Sequence, residues 1–137
     1  MDLDFELTDR SLGANAHVVG VRGELDLFTA PELRGLIADL IDQGKRGLVV
    51  DLVETSFIDS SGLASLVGAL KRITGAGGRL VLVNDSSRLA RTLALTGLDR
   101  VLEVQPDCDR AVASLTSSGS DGAVSSAHWS DWRALRT

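Results

Sequence analysis

Residues 48–53 read Leu48-Val49-Val50-Asp51-Leu52-Val53, an almost unbroken apolar and β-branched run. A run of this kind suits a strand covered on both faces, as in a parallel sheet, and not one with a wetted side. Its neighbours on each side carry helical periodicity. Upstream, Leu33, Leu36, Ile37, Leu40 and Ile41 share one helical face. Thr29-Ala30-Pro31-Glu32 predicts the start of that helix, as a capping box with proline in the first turn, and Gly44 predicts its end. Downstream, a second helix begins after Asp59-Ser60-Ser61-Gly62. It carries Leu63, Leu66, Val67, Leu70 and Ile73 on one face and breaks at Gly75-Ala76-Gly77-Gly78.

The same alternation continues outward. Leu80-Val81-Leu82-Val83 predicts another buried strand. It leads through Asn84-Asp85-Ser86-Ser87 into a helix with Leu89, Leu93 and Ala94, closed at Gly97-Leu98. A short strand at Val101-Leu102-Glu103-Val104 precedes a last helix bearing Ala111, Val112 and Leu115, capped by Asp107 or Asp109. At the other end, Leu3, Phe5 and Leu7 alternate with polar residues. After the turn at Leu12-Gly13-Ala14-Asn15, His17 to Arg22 read as the second arm of an antiparallel hairpin. The fold class is therefore α/β. The sheet is mixed but mostly parallel, of roughly four to five strands with an antiparallel N-terminal edge, and amphipathic helices cross over right-handedly.

Composition bounds the rest. A chain of 137 residues is one domain's worth. With 14 Lys+Arg against 19 Asp+Glu the net charge is −5, which offers no basic face for nucleic acid. The single cysteine, Cys108, closes no intramolecular disulfide and supplies no cysteine-rich zinc site. It reads as a buried or incidental thiol, with a redox sensor as the other possibility. The sequence lacks a membrane-spanning apolar run and a signal-peptide pattern, so a soluble cytoplasmic domain is expected. From Ser117 the composition turns Ser- and Gly-rich. Residues 1–116 are expected to form the domain and 117–137 a mobile tail, in which Trp129, Trp132 and Leu135 are spaced as on a short partner-binding helix.

Functional loops of a parallel sheet gather at the carboxyl ends of its strands. Three loops qualify here: Gly23 to Asp26, Glu54 to Gly62, and Asn84 to Ser87. They place Glu24, Asp26, Asp59, Ser60, Ser61, Asp85 and Ser86 on one edge. Both histidines lie elsewhere (His17 in a strand, His128 in the tail), so a serine nucleophile has no base. Asp26 and Asp59 are the best acid/base pair, and Asp26, Asp59 and Asp85 the only candidate metal set. Solvated loop carboxylates are the simpler reading, and no metal or cofactor is expected. Phe57-Ile58-Asp59-Ser60-Ser61-Gly62-Leu63 should bury two apolar residues just before two hydroxyls emerge at a helix N-terminus. Taken alone it is a capping sequence, or else a serine presented for modification beside free N–H groups and a positive helix end.

Two blocks together narrow the choice. Val21-Arg22-Gly23-Glu24-Leu25-Asp26, followed by Thr29-Ala30, and Val50-Asp51-Leu52, leading to Phe57 through Leu63, stand in an order and spacing that resemble the STAS-domain anti-anti-sigma factors (anti-sigma factor antagonists) of bacteria. Arg79 to Val83 and Thr96-Gly97-Leu98 fit as well, and the resemblance spans about residues 5–116. It implies a protein that binds a GHKL-type anti-sigma kinase and so frees a sigma factor. The kinase would use its own Mg-ATP to phosphorylate Ser60, with Ser61 the second choice, and a PP2C-type phosphatase would reset the switch. Glu24, Asp26, Asp59, Ser60, Ser61, Gly62 and Leu63 would form the partner-binding surface. The resemblance implies no cofactor, catalytic residue or membrane contact for this chain. Ala64 departs from it, standing where many relatives have glycine, as does the segment beyond Ser117. Two other readings remain: a STAS scaffold or sensor not governed by phosphorylation, and a small enzyme or nucleotide-binding domain using the carboxylate edge.

Overall fold

The structure is a computed structural model that describes residues 5–13 and 15–117. Leu3, Ala14 and the Ser/Gly-rich segment with Trp129, Trp132 and Leu135 lie outside the described residues.

The strands are β1 (Glu6–Ser11), β2 (Ala16–Leu25), β3 (Gly47–Asp51), β4 (Thr55–Ile58), β5 (Arg79–Val83) and β6 (Glu103–Gln105). The helices are α1 (Ala30–Asp42), α2 (Ser60–Gly75), α3 (Ser87–Thr96) and α4 (Cys108–Ser117), with a 3₁₀ turn at Leu98–Arg100. The sheet order is β1-β2-β3-β5-β6, and β4 pairs with β2 off that path. Only β1 is antiparallel to its neighbour; the β2–β3, β3–β5, β5–β6 and β2–β4 pairs are parallel.

Every residue of β3 is buried, as a central parallel strand requires. The two-residue period then divides its side chains between two layers. Leu48 and Val50 join Leu80 and Leu82 under α1, α2 and α3, where Leu33, Ile37, Leu66, Ile73 and Leu93 complete the larger core. Val49 joins Val18, Val81 and Val83 on the opposite face, beneath Ala111, Val112 and Leu115 of α4. Each fully buried Leu or Ile is worth about 1.5–3 kcal/mol, so this double covering is the main source of stability. Cys108 is buried in the α4 layer, and its Sγ lies 3.6 Å from the buried Asp51 carboxylate.

The helix ends follow the sequence in all but one case. Gly44 and Gly97 close α1 and α3 at φ +95° and +77°. Ser86 Oγ caps α3 by accepting from the N–H groups of Arg88 and Leu89, and the Asp107 carboxylate accepts from Arg110 N–H at the start of α4. The capping box at Thr29 does not form. Thr29 has helical backbone angles, and its hydroxyl donates instead to the Glu24 carbonyl at 2.7 Å. The cap comes from Asp26, whose Oδ1 accepts from Phe28 N–H at 2.9 Å and Thr29 N–H at 3.1 Å.

Strand boundaries differ in two places. The β1 ladder begins at Glu6 and runs through Thr8, Asp9 and Arg10 to Ser11, beyond the alternation of its first residues. Its pairing with β2 is reinforced where Asp9 meets the buried His17 ring, Oδ1 to Nε2 at 2.8 Å. The larger difference is β4, a sixth strand inside a segment the sequence presents as loop. There β3 leaves β2, the chain turns at 52–54, and β4 resumes pairing along Gly23–Leu25. Gly23 is accordingly a strand residue. The register shifts between Gly23 and Glu24, and Gly23 supplies the left-handed φ of +97° at this bulge.

Candidate functional site

β4 delivers the chain to Asp59, the residue that organises this end of the sheet. Asp59 is extended (φ −98°, ψ −173°), the conformation of an N-cap, and its Oδ1 accepts from Gly62 N–H at 2.9 Å. The other oxygen, Oδ2, accepts from Leu27 N–H at 3.2 Å. Asp59 N–H itself donates to the Leu25 carbonyl at 3.2 Å. One residue thus starts α2 and fastens the β2–α1 loop to it.

Gly62, on the first turn of α2, is buried where the helix crosses the end of β2. A methyl group there would overlap the Leu25 carbonyl oxygen and lie 2.9 Å from Ile58 Cγ2. Only glycine lets the helix approach this closely. Ser65, one turn on, is buried and donates to the Gly62 carbonyl at 2.6 Å.

Around this frame the structure places the other expected residues as follows. Ser60, the first residue of α2, is exposed, whereas Ser61 is half-buried. Leu63 is half-buried and packs on the larger core. Glu24 is an exposed residue of β2, and Asp26 is half-buried. Asp26, Leu27 and Asp59 are brought together. Asp85 and Ser86 stand apart, at the end of β5, with Ser86 used as the α3 cap.

The carboxylates of Asp26 and Asp59 are therefore both engaged by backbone N–H donors, as helix caps and loop ties, which accounts for them without an acid/base role. Among the described residues no group of three or more His, Cys, Asp or Glu is placed to hold a metal ion. No described helix is long and apolar enough to cross a membrane.

Three side chains of this surface are missing from a reading based on polar loops. Leu27 is 63% exposed, Phe28 79% and Phe57 49%, flanking the Asp59–Ser60 corner. The motif predicts that Phe57 buries the chain ahead of the serines, but on β4 it is half out of the fold. Exposed apolar side chains rimmed by polar groups mark protein-contact surfaces. The available sequence signal was Leu27-Phe28 directly after a strand end, with no helical face to join.

Comparison with known proteins agrees with this geometry. The family model described as STAS domain matches residues 12–111. An anti-sigma-B factor antagonist of Staphylococcus aureus is 34% identical over 104 residues, covering 76% of this chain and 94% of that protein. One from Bacillus subtilis is 36% identical over 94 residues, 69% of this chain and 85% of that protein. The crystal structure of an anti-sigma factor antagonist from Mycobacterium paratuberculosis superimposes with a TM-score of 0.73 at 28% identity, covering 82% of this chain and 94% of that one. The chain belongs to the STAS domain family and, within it, to the anti-sigma factor antagonists, regulatory binding proteins rather than enzymes.

Proposed function

We propose that this protein binds an anti-sigma factor with the surface around Leu27, Phe28, Phe57, Asp59 and Ser60, and that phosphorylation of Ser60 ends the binding. The partner is a GHKL-type kinase that carries its own Mg-ATP, and a PP2C-type phosphatase restores the hydroxyl. The cytoplasm is the compartment for such a switch. The observation that carries the reading is the contrast between two adjacent serines: Ser60 is exposed at the mouth of α2, whereas Ser61 is half-buried. Glu24, Asp26, Gly62 and Leu63 complete the region, Gly62 and Leu63 by setting where α2 begins.

The magnitudes suffice for a switch. A phosphoserine adds about −1.5 to −2 charges at neutral pH. Moving a complex from 99:1 bound to 1:99 takes about 5.5 kcal/mol of differential affinity. A unit charge about 5 Å from a like charge costs roughly 3 kcal/mol at an effective dielectric near 20. Two added charges facing an acidic partner group supply that order, and the bulk of the phosphate in a close interface adds to it. The N-terminus of α2 receives the phosphate locally, so the fold need not rearrange.

The test is incubation with candidate anti-sigma kinases and ATP, followed by intact mass and binding measurements. Wild type gains one phosphate and loses affinity. Ser60→Ala gains none and still binds, and Ser60→Asp binds poorly. Labelling at Ser61 would transfer the acceptor role to that residue. Binding without any labelling would overturn the switch and favour a STAS scaffold.

A further inference from the structure

A cleft of about 220 Å³ opens between β4 and α3. Its apolar lining is Leu52, Phe57, Ile58 and Leu89, and its polar lining includes Asn84, Ser86 and Arg88. This volume lies below the range of drug-sized pockets, so the occupant is small.

The polar lining is built for negative charge. Asn84 is only 7% exposed and is fixed by Ser86: Nδ2 donates to the Ser86 carbonyl at 2.9 Å, and Oδ1 accepts from Ser86 N–H at 3.1 Å. An amide nitrogen carries two hydrogens, and this bond uses one. Arg88 forms no ion pair with a carboxylate among the described residues. The N-terminus of α3 lies at these residues and has no acidic residue in its first turn, so its dipole adds a positive contribution. One cation, one buried amide and one helix end share the cleft with the apolar lining.

We propose that this cleft binds a small carboxylic acid with an apolar body, its carboxylate between Arg88 and Asn84 and its hydrocarbon part against Leu52, Ile58 and Leu89. The cleft shares Phe57 with the surface proposed for the anti-sigma factor, but ligand binding to the isolated chain tests it without reference to Ser60. It touches β4, the segment that delivers Asp59.

The test is a ¹H–¹⁵N NMR titration of the full chain with phenylacetate, benzoate and 3-methylbutyrate, and with neutral phenylacetamide as control. At least one acid shifts the amides of Thr55–Ile58 and Ser86–Thr92 saturably. Phenylacetamide, if it binds, does so at least tenfold more weakly than phenylacetate. Arg88 is solvent-exposed, so Arg88→Ala and Arg88→Glu retain the fold. The first weakens binding about tenfold, as loss of a hydrogen bond to a charged group does, and the second abolishes it. Thr92→Trp, which fills the cleft from α3, removes binding while leaving Arg88 in place. The proposal is overturned if no acid gives saturable shifts, if phenylacetamide binds as well as phenylacetate, or if Arg88→Glu or Thr92→Trp binds like wild type.

Discussion

The two carboxylate oxygens of Asp59 serve different elements: Oδ1 accepts from Gly62 N–H in α2, and Oδ2 accepts from Leu27 N–H across the gap to the β2–α1 loop. The exposed Leu27 and Phe28 are thereby held beside Ser60, although 32 positions separate Leu27 from Asp59 in sequence. A loop pinned in this way presents its apolar side chains to a partner with less ordering cost than a free one.

Removing the carboxylate should release both contacts. Asp59→Ala is expected to cost about 1–2 kcal/mol in chemical denaturation, the usual worth of an N-cap. Asp59→Asn separates the two roles, because its single carbonyl oxygen replaces only one of the two acceptors. With Gly62 still capped, the Leu27 amide should exchange with solvent faster in Asp59→Asn while the α2 amides stay protected. Unchanged Leu27 exchange would show that the loop is held by other means.

Gly62 offers a sharper steric test. Its missing Cβ would meet the Leu25 carbonyl, a backbone atom that cannot swing aside, so Gly62→Ala should destabilise by about 1–3 kcal/mol. Gly68 lies on the same helix with nothing near its Cβ position, and Gly68→Ala should be neutral or stabilising by up to about 1 kcal/mol. Urea midpoints at constant slope compare the two. Equal effects would mean that α2 shifts freely on the sheet.

What the sequence disclosed follows from how much burial each element carries. β3, β5 and the stripes of α1 and α2 are buried enough that their periodicity alone identifies them. β4 is illegible because it has only four residues, of which Thr55, Phe57 and Ile58 pair with β2, and because Ser56 and Phe57 are exposed, so no alternation of buried and polar positions marks it. Reading Gly23 to Asp26 as loop had the same origin, since nothing in the sequence marks where β3 stops and β4 takes over beside β2. Thr29 misled for a different reason: its hydroxyl found the Glu24 carbonyl, a partner that exists only once β2 ends where it does. The polar half of the site, Asp59 and the serines, was visible in the motif. Its apolar half was not, because exposure of Phe28 and Phe57 is a property of the folded surface.

That apolar half should matter to binding and hardly at all to folding. Phe28 is largely out of the fold, so Phe28→Ser is expected to change stability within about 0.5 kcal/mol, the range of ordinary surface substitutions. If Phe28 anchors the anti-sigma partner, the same change should weaken the complex at least tenfold, since aromatic anchors at interfaces cost 2 kcal/mol or more on truncation, about thirtyfold at 1.4 kcal/mol per decade. Thermal melting and titration calorimetry with the cognate anti-sigma factor read the two effects separately. Full affinity in Phe28→Ser would remove the β2–α1 loop from the interface.

The last test concerns the opposite end of the sheet, where Arg79 of β5 and Glu103 of β6 tie α4 down. Arg79 donates to Glu103 Oε1 at 2.5 Å and to the Ser114 carbonyl at 2.8 Å, and Ser114 Oγ donates to Glu103 Oε2. Burial alone would raise the Glu103 carboxyl, but the hydrogen bonds from Ser114, Gln105 and Arg79, with the guanidinium charge, outweigh it and hold the group below its ordinary 4.5. A carboxylate lowered by folding stabilises the native state at pH values above its unfolded pKa, and the contribution disappears as pH falls through the folded value. Glu103→Gln should therefore lower the urea midpoint at neutral pH, by an amount on the order of 1 kcal/mol or less for a pair this accessible to solvent. The gap between the two proteins should hold down to about pH 5 and shrink in stronger acid, as wild type loses its charge there. A gap independent of pH would assign the effect to packing and hydrogen bonding of the side chain, with no contribution from its ionisation.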